Sequence, residues 1–224
     1  MSAVRRHVLA RGWQAAVLVL AVRSLPAWAG AQREEDLSDS VRTALSAALA
    51  QQTPAAPSFA SAAQEAYYFE WHAEMARRLA RFLAHETTRH DLLHTVWYES
   101  QRAGLAASLV LGLIEVESGF RKFAVSRSLA RGYMQVMPFW TRSLADGDAS
   151  RLFHLQTNIR FGCVILRHYL ERENGDLFLA LGRYNGSRGQ AAYPRAVLAA
   201  QQRWDYVGPE NAVDVQRDGV SQTR

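Results

Sequence analysis

Two glutamates one residue apart close an apolar run, 111-LGLIEVESGFRK-122. A carboxyl group in that setting has two uses. Ionised and solvated, it merely finishes a helix; kept protonated near neutral pH, it is a general acid. Helical periodicity separates the pair. Val110, Leu113, Ile114 and Glu117 share a stripe at spacings of three and four, while Leu111, Glu115 and Ser118 lie on another side. Glu117 thus continues an apolar face. It also falls in the last turn, before Gly119, where the helix dipole is negative. Apolar surroundings and a negative helix end both raise a carboxyl pKa. Glu115 reads as a surface residue. Spacing alone leaves a second reading of Glu117 open, as a solvated group or the partner of Arg121.

Other chemistry-bearing residues form weaker patterns. His85-Glu86 lacks the second histidine of a zinc-protease helix, and His90 and His94 lie four apart without an evident third ligand. No metal or cofactor is therefore expected. Cys163, the single cysteine, sits on an apolar helix face and reads as core; it excludes an internal disulfide. Asp146 and Asp148 lie in a loop, 145-ADGD-148, and neither has the setting of a second catalytic carboxylate.

The elements that must position Glu117 are helical. Tyr68, Trp71, Met75, Leu79 and Leu83 recur at three and four, giving a helix from about residue 63. Thr87 or Thr88 is the expected N-cap of a second, carrying Leu92, Leu93, Val96 and Trp97 and ending at Gly104. The glutamate helix spans about 106 to 118, and an irregular stretch follows to 133. Met134 to Leu144 reads as helix, interrupted by Pro138. Residues 156–174 form a helix with Ile159, Cys163, Leu166 and Leu170 on its apolar face, capped by Gly175. Two more run over about 176 to 184 and up to Trp204. No clean alternation marks a strand, so the fold class is mainly α, with little or no β structure.

The pieces after Glu117 occur in a telling order: 117-ESGFRKFAVSRSLARGYMQVMPFW-140, then 157-TNIRFGCVILRHYL-170, then 184-YNGSRG-189. This series resembles the catalytic domain of the soluble-type lytic transglycosylases, relatives of goose-type lysozyme. The family pattern of Glu-Ser, Phe, Ala-x-Ser, Gly-Leu-Met-Gln-x-Met-Pro, Asn-Ile and Tyr-Asn-Ala-Gly is matched by Glu117-Ser118, Phe120, Ala124 and Ser126, Gly132 to Pro138, Asn158-Ile159 and Tyr184-Asn185-Gly186. It covers roughly 89 to 204. Leu129 stands where the family usually has glycine, Tyr133 replaces a leucine, Phe139-Trp140-Thr141 follows the proline, and Gly186-Ser187 replaces Ala-Gly.

The resemblance implies a lysozyme-like helical domain that cleaves the β-1,4 bond between N-acetylmuramic acid and N-acetylglucosamine in peptidoglycan. Glu117 would protonate the glycosidic oxygen, then take the proton from the C6 hydroxyl, leaving a 1,6-anhydro end. Ser118 and Gln135 would bond near the muramic acid, Met134 would line the groove floor, Tyr184 would orient Glu117 or the acetamido group, and Asn185 would support that loop. Core packing is the alternative for Met134 and Tyr184, and for Phe139 and Trp140, whose other use is stacking on sugars. The competing activities are a lysozyme-like hydrolase and a peptidoglycan-binding module that does not cleave.

Composition fits an exported globular protein. The apolar share is 49% of 224 residues. The net charge of +5 includes Arg5, Arg6, Arg11 and Arg23; without these four it is +1, which gives no case for nucleic acid. Residues 1–31 read as a signal peptide, with Arg5-Arg6, the short core 15-AAVLVLAV-22 and small residues before cleavage. The expected location is the periplasm, with no membrane span after cleavage. An uncleaved signal anchoring the chain to the inner membrane is the alternative. Residues 32–62 read as a linker with a short helix at 37–52, 63–205 as the catalytic domain with 63–88 an added helix that docks an envelope-machinery partner or packs on the domain, and 206–224 as a flexible tail.

Overall fold

A computed structural model of the chain describes residues 41–43, 45–46, 57–142 and 147–208. The signal expected over 1–31, Leu144 and Asp146, and most of the linker and of the tail lie outside these residues. Helix α1, Ala62–Leu79, starts at Ser61, whose hydroxyl accepts from Gln64 N at 3.2 Å while the Gln64 side chain accepts from Ala60 N at 2.7 Å. That near-reciprocal exchange satisfies donors which the first turn leaves orphaned. Its stripe of Tyr68, Trp71, Met75 and Leu79 is buried.

Helix α2, Glu86–Ala103, begins a little earlier than the threonines suggested, with His85 at the N-cap in place of Thr87 or Thr88 and no side-chain cap. The reason lies in Arg89. One nitrogen of its guanidinium donates to the carbonyls of Leu83 and Ala84, at 2.8 Å each, and so ties down the approach to the helix. Gly104, at φ 61, ends α2. Helix α3, Ala107–Ser118, ends at Gly119 with φ 57.

The expected helix from Met134 shrinks to α4, Phe139–Arg142. Ahead of it the chain turns. Gln135 takes φ 48, Arg131 and Val136 exchange backbone hydrogen bonds of 2.9 and 3.0 Å, and Pro138 cannot donate to a preceding turn. Two isolated bridges, Val125 with Arg131 and Arg131 with Val136, are the β structure among the described residues.

A 3₁₀ turn, Ala149–Phe153, leads to α5, Leu155–Arg172, then α6, Leu177–Asn185, and α7, Ala192–Gln202. Every residue from Gln156 to Cys163 is buried, so the first half of α5 runs through the middle of the molecule. It packs on α2 and α6, while α3 packs on α7. The α3–α7 backbones approach so closely at Gly112 that a Cβ there would lie 2.6 Å from Gln201 N. Val41 and Leu45 are buried against this core. Among the described residues no helix is long and apolar enough to cross a membrane.

Candidate active site

Glu117 ends α3 with 8% of its surface exposed. Its Oε1 accepts a short hydrogen bond from the Tyr193 hydroxyl, and its Oε2 is buried with no hydrogen-bond partner. Burial pushes the carboxyl up to about 8 from its ordinary 4.5, and the Tyr193 bond, which favours the charged form, opposes that in part. Arg121 does not pair with it: the Arg121 Nε donates instead to the Ser118 carbonyl at 2.8 Å. Glu117 is thus a buried acid, protonated at neutral pH, with one oxygen held and the other unclaimed.

Glu115, one residue earlier, has a different task. Arg203 Nη2 meets it at 2.8 Å and Trp204 Nε1 donates to it at 2.7 Å. It is partly buried and pins α3 to the end of α7, so it is more than the surface residue its position suggested.

Tyr193 is the partner that sequence reading missed. It comes from the first turn of α7, 76 residues from Glu117, and is fully buried. Burial first, then the charge of Glu117, holds its phenol well above the usual range, so it stays a donor. The Tyr184 hydroxyl donates elsewhere, to the Met134 carbonyl at 2.8 Å, which ties the end of α6 to the turn before α4. Tyr184 is nevertheless close enough to raise the Tyr193 phenol through its own charge.

The remaining residues of the series build a frame. Asn158 is fully buried: its Oδ1 accepts from Met134 N, and its Nδ2 donates to the Arg131 and Leu152 carbonyls, all at 2.8 Å. Gly132, at φ 78, leaves room for that amide; a Cβ would run into the Asn158 side chain and come within 2.5 Å of the Leu152 carbonyl. Gln135 Nε2 donates to Ala124 O at 3.1 Å and Gly132 O at 2.9 Å, closing the loop that follows α3. Ser118 is buried with its hydroxyl on the Ile114 carbonyl at 3.2 Å. Met134 lies in the core; a Cβ on Gly162 would sit 2.8 Å from its own. Phe139 and Trp140, exposed by 8% and 1%, are core as well. Tyr133 is buried, its phenol raised by burial and then by Asp91. Asn185 donates from Nδ2 to Ser187 Oγ at 2.9 Å, while its buried Oδ1 has no partner.

Three other carboxylates are committed. Asp148 accepts from Ser150 N and Oγ at 2.8 Å each. Glu173 takes Arg183 at 2.6 Å and Arg188 at 2.8 Å, which fixes the 184–189 loop to the end of α5; the Arg188 bond first, and the Arg183 bond with it, bring its carboxyl down to about 2. Glu99 and Arg160, both buried, form a two-bond pair of 2.8 and 2.9 Å between α2 and α5 that sequence reading also missed. Among the described residues no cluster suited to a metal ion is found.

The chain is similar to known proteins. The model of the Transglycosylase SLT domain family matches residues 95–206. Membrane-bound lytic murein transglycosylase C of Actinobacillus pleuropneumoniae serotype 5b (strain L20) is 35% identical over 119 residues, 46% of this chain and 33% of that protein. Its namesake from Glaesserella parasuis serovar 5 (strain SH0165) is 39% identical over 75 residues, 30% and 21% of the two chains. The chain therefore spans at most about a third of the length of these relatives. The X-ray structure of an inactive mutant of lytic transglycosylase Slt from Pseudomonas aeruginosa is similar with a TM-score of 0.45 and 21% identity, over 63% of this chain and 29% of that one. With half its length matched by the family model, and with the buried glutamate, the Asn158 frame and the Tyr184 tie all inside that half, the chain belongs to the Transglycosylase SLT domain family.

Proposed function

We propose that this chain is a peptidoglycan lytic transglycosylase that uses Glu117 as acid and then as base. The observation that carries the reading is the state of Glu117: a buried carboxyl raised to about 8, held through one oxygen by Tyr193, with the other oxygen unclaimed. Ordinary glycosidases pair two carboxylates. Among the described residues Glu115, Glu99, Glu173 and Asp148 are each bonded to other groups, in keeping with a mechanism that needs only one carboxylate. In such a mechanism the substrate's own 2-acetamido oxygen shields the anomeric carbon.

The protonated Glu117 gives its proton to the oxygen leaving muramic acid C1. The resulting carboxylate then takes the proton of the C6 hydroxyl on the same sugar. The C6 oxygen closes on C1, and no water is consumed. Tyr193 holds the carboxyl in place and stabilises the carboxylate between the two transfers. Ser118, Gln135, Tyr184 and Asn185 shape the surrounding site, and Met134 supports it from the core. The relatives' names carry the words membrane-bound and murein, which supports a cell-envelope location; export by the 1–31 segment is part of the same proposal.

The test is digestion of purified peptidoglycan, with products read by mass spectrometry. Wild-type protein is expected to release anhydro muropeptides, about 18 mass units lighter than hydrolysis products, and Glu117→Gln to lower the rate by a factor of roughly 10² to 10⁴. Hydrated reducing ends would instead mark a hydrolase, and wall binding without any product a binding module.

A further inference from the structure

Helix α7 reaches the acid with one end and is held at the other. Tyr193, in its first turn, donates to Glu117. Arg203 and Trp204, just past its last residue, meet the two oxygens of Glu115 at 2.8 and 2.7 Å. Both carboxyl groups belong to the last turn of α3. Close to the held end the two helices touch backbone to backbone: a Cβ on Gly112 would lie 2.6 Å from Gln201 N and 2.9 Å from Gln201 Cα. The start of α7 is less firmly fixed, since Ala191 at its N-cap gives no side-chain bond. Trp204 adds a second grip. Its fully buried ring packs edge-on to Phe120 with centroids 5.2 Å apart, while its Nε1 holds Glu115. It therefore spans the chain on both sides of Glu117.

With its closest crossing near the held end, α7 is a lever. From Gln201 back to Tyr193 the helix runs about 12 Å, at about 1.5 Å per residue, whereas Arg203 and Trp204 follow Gln201 almost at once. A small movement at the held end is magnified at the Tyr193 hydroxyl, and a hydrogen bond does not survive a displacement of about 1 Å. Burial and the Tyr193 bond are what set the Glu117 carboxyl. A group that governs where Tyr193 sits therefore governs how firmly Glu117 holds its proton.

We propose that Glu115 is a positioning residue for Glu117: by holding Arg203 and Trp204 it fixes the angle of α7 across α3, and so keeps the Tyr193 hydroxyl on the Glu117 carboxyl. The proposal rests on the reading of Glu117 as acid and then base, and adds to it a residue that acts only through others. Breaking the tie lets Tyr193 leave, and Glu117 loses the bond that favours its charged form. Its proton is then held more tightly, and the alkaline limb of kcat/KM moves to higher pH. A direct effect of the Glu115 charge has the opposite sign, because removing a nearby anion makes Glu117 easier to ionise and moves the limb to lower pH.

The test is the pH dependence of peptidoglycan cleavage by the full-length protein and by its Glu115→Ala, Tyr193→Phe and Glu115→Ala/Tyr193→Phe variants, with thermal melts alongside. Glu115→Ala is expected to move the alkaline limb upward, in the direction of Tyr193→Phe, and to lower kcat about tenfold. In the Tyr193→Phe background the same change is expected to move the limb no further. Arg203→Ala, on a side chain 47% exposed, cuts the tie from the α7 end and is expected to repeat both results, which keeps the proposal falsifiable if Glu115→Ala does not fold. A limb that stays in place or moves to lower pH, whatever happens to Tm, overturns the proposal and leaves Glu115 a structural tie. An equal upward shift in both backgrounds overturns it too, because the effect then bypasses Tyr193. In each of these cases the wild type still releases anhydro ends and still shows its limb; a wild type that does neither overturns the reading beneath, and the proposal with it.

Discussion

A carboxyl raised to about 8 is a proton donor over the whole neutral range, and in the proposed mechanism its ionisation sets where activity ends. That mechanism needs Glu117 protonated to begin, so kcat/KM is expected to hold from pH 5 to 7 and to fall as pH rises through about 8. Tyr193 opposes the upward shift by bonding the charged form. Tyr193→Phe removes that opposition, so the alkaline limb moves to higher pH. The same change leaves the carboxylate less stabilised between the two proton transfers, and kcat is expected to fall about tenfold. A pH–rate series on the two proteins checks both effects; an unmoved limb would show that the hydroxyl does not act on Glu117. Much of this site was legible beforehand. Val110, Leu113 and Ile114 identified the stripe on which Glu117 lies, and Gly119 identified its end. Tyr193 was not, because nothing in its own neighbourhood distinguishes it and 76 residues separate it from its partner. The Glu99–Arg160 pair was hidden in the same way, 61 residues apart. Periodicity reports which face a side chain occupies, not which distant side chain it meets.

The turns around the site converge on one amide. Asn158 ties the start of α5 to the turn at Met134, to Arg131 and to the 3₁₀ turn through Leu152. Gly132 makes the room for it. Gly132→Ala combines a disfavoured φ of 78 with a clash against that amide, and is expected to cost about 3 kcal/mol or more, seen as a fall of roughly 10 °C in Tm. A melt within 2 °C of wild type would show that the turn has slack. The stripe of α5 follows closely from its spacing, and that of α1 does as far as Leu79; the expected added helix over 63–88 stops there, and Leu83 lies beyond its end. Element ends are harder to read. Thr87 and Thr88 have good capping chemistry, yet Arg89 sets the start of α2 by binding the carbonyls before it. The stretch from Met134 carries helix-compatible residues, but the left-handed Gln135 is fixed by its amide bonds across the loop and not by its own propensity.

On the scale of the molecule, the two ends of the described domain are held together. Arg78 in α1 donates to the carbonyls of Arg203 and Asp205 at 2.8 and 2.9 Å, and the Tyr67 hydroxyl to that of Tyr206 at 3.3 Å. Helix α1 lies outside the region matched by the family model, but it packs as part of the same core, with Trp71 and Trp97 at a centroid distance of 5.0 Å. Cys163, deep in α5, completes that core with 1% exposure, and burial holds its thiol well above its usual range. A fully enclosed thiol is inert to an oxidant or an alkylating reagent until the surrounding helices separate. With no second cysteine in the chain to complicate the signal, Cys163 is a built-in clock: at reagent concentrations where labelling outpaces reclosing, its alkylation under native conditions should report the rate at which α5 is laid open, and should rise with denaturant as global unfolding does. Labelling faster than unfolding measured by fluorescence would mean that α5 opens on its own.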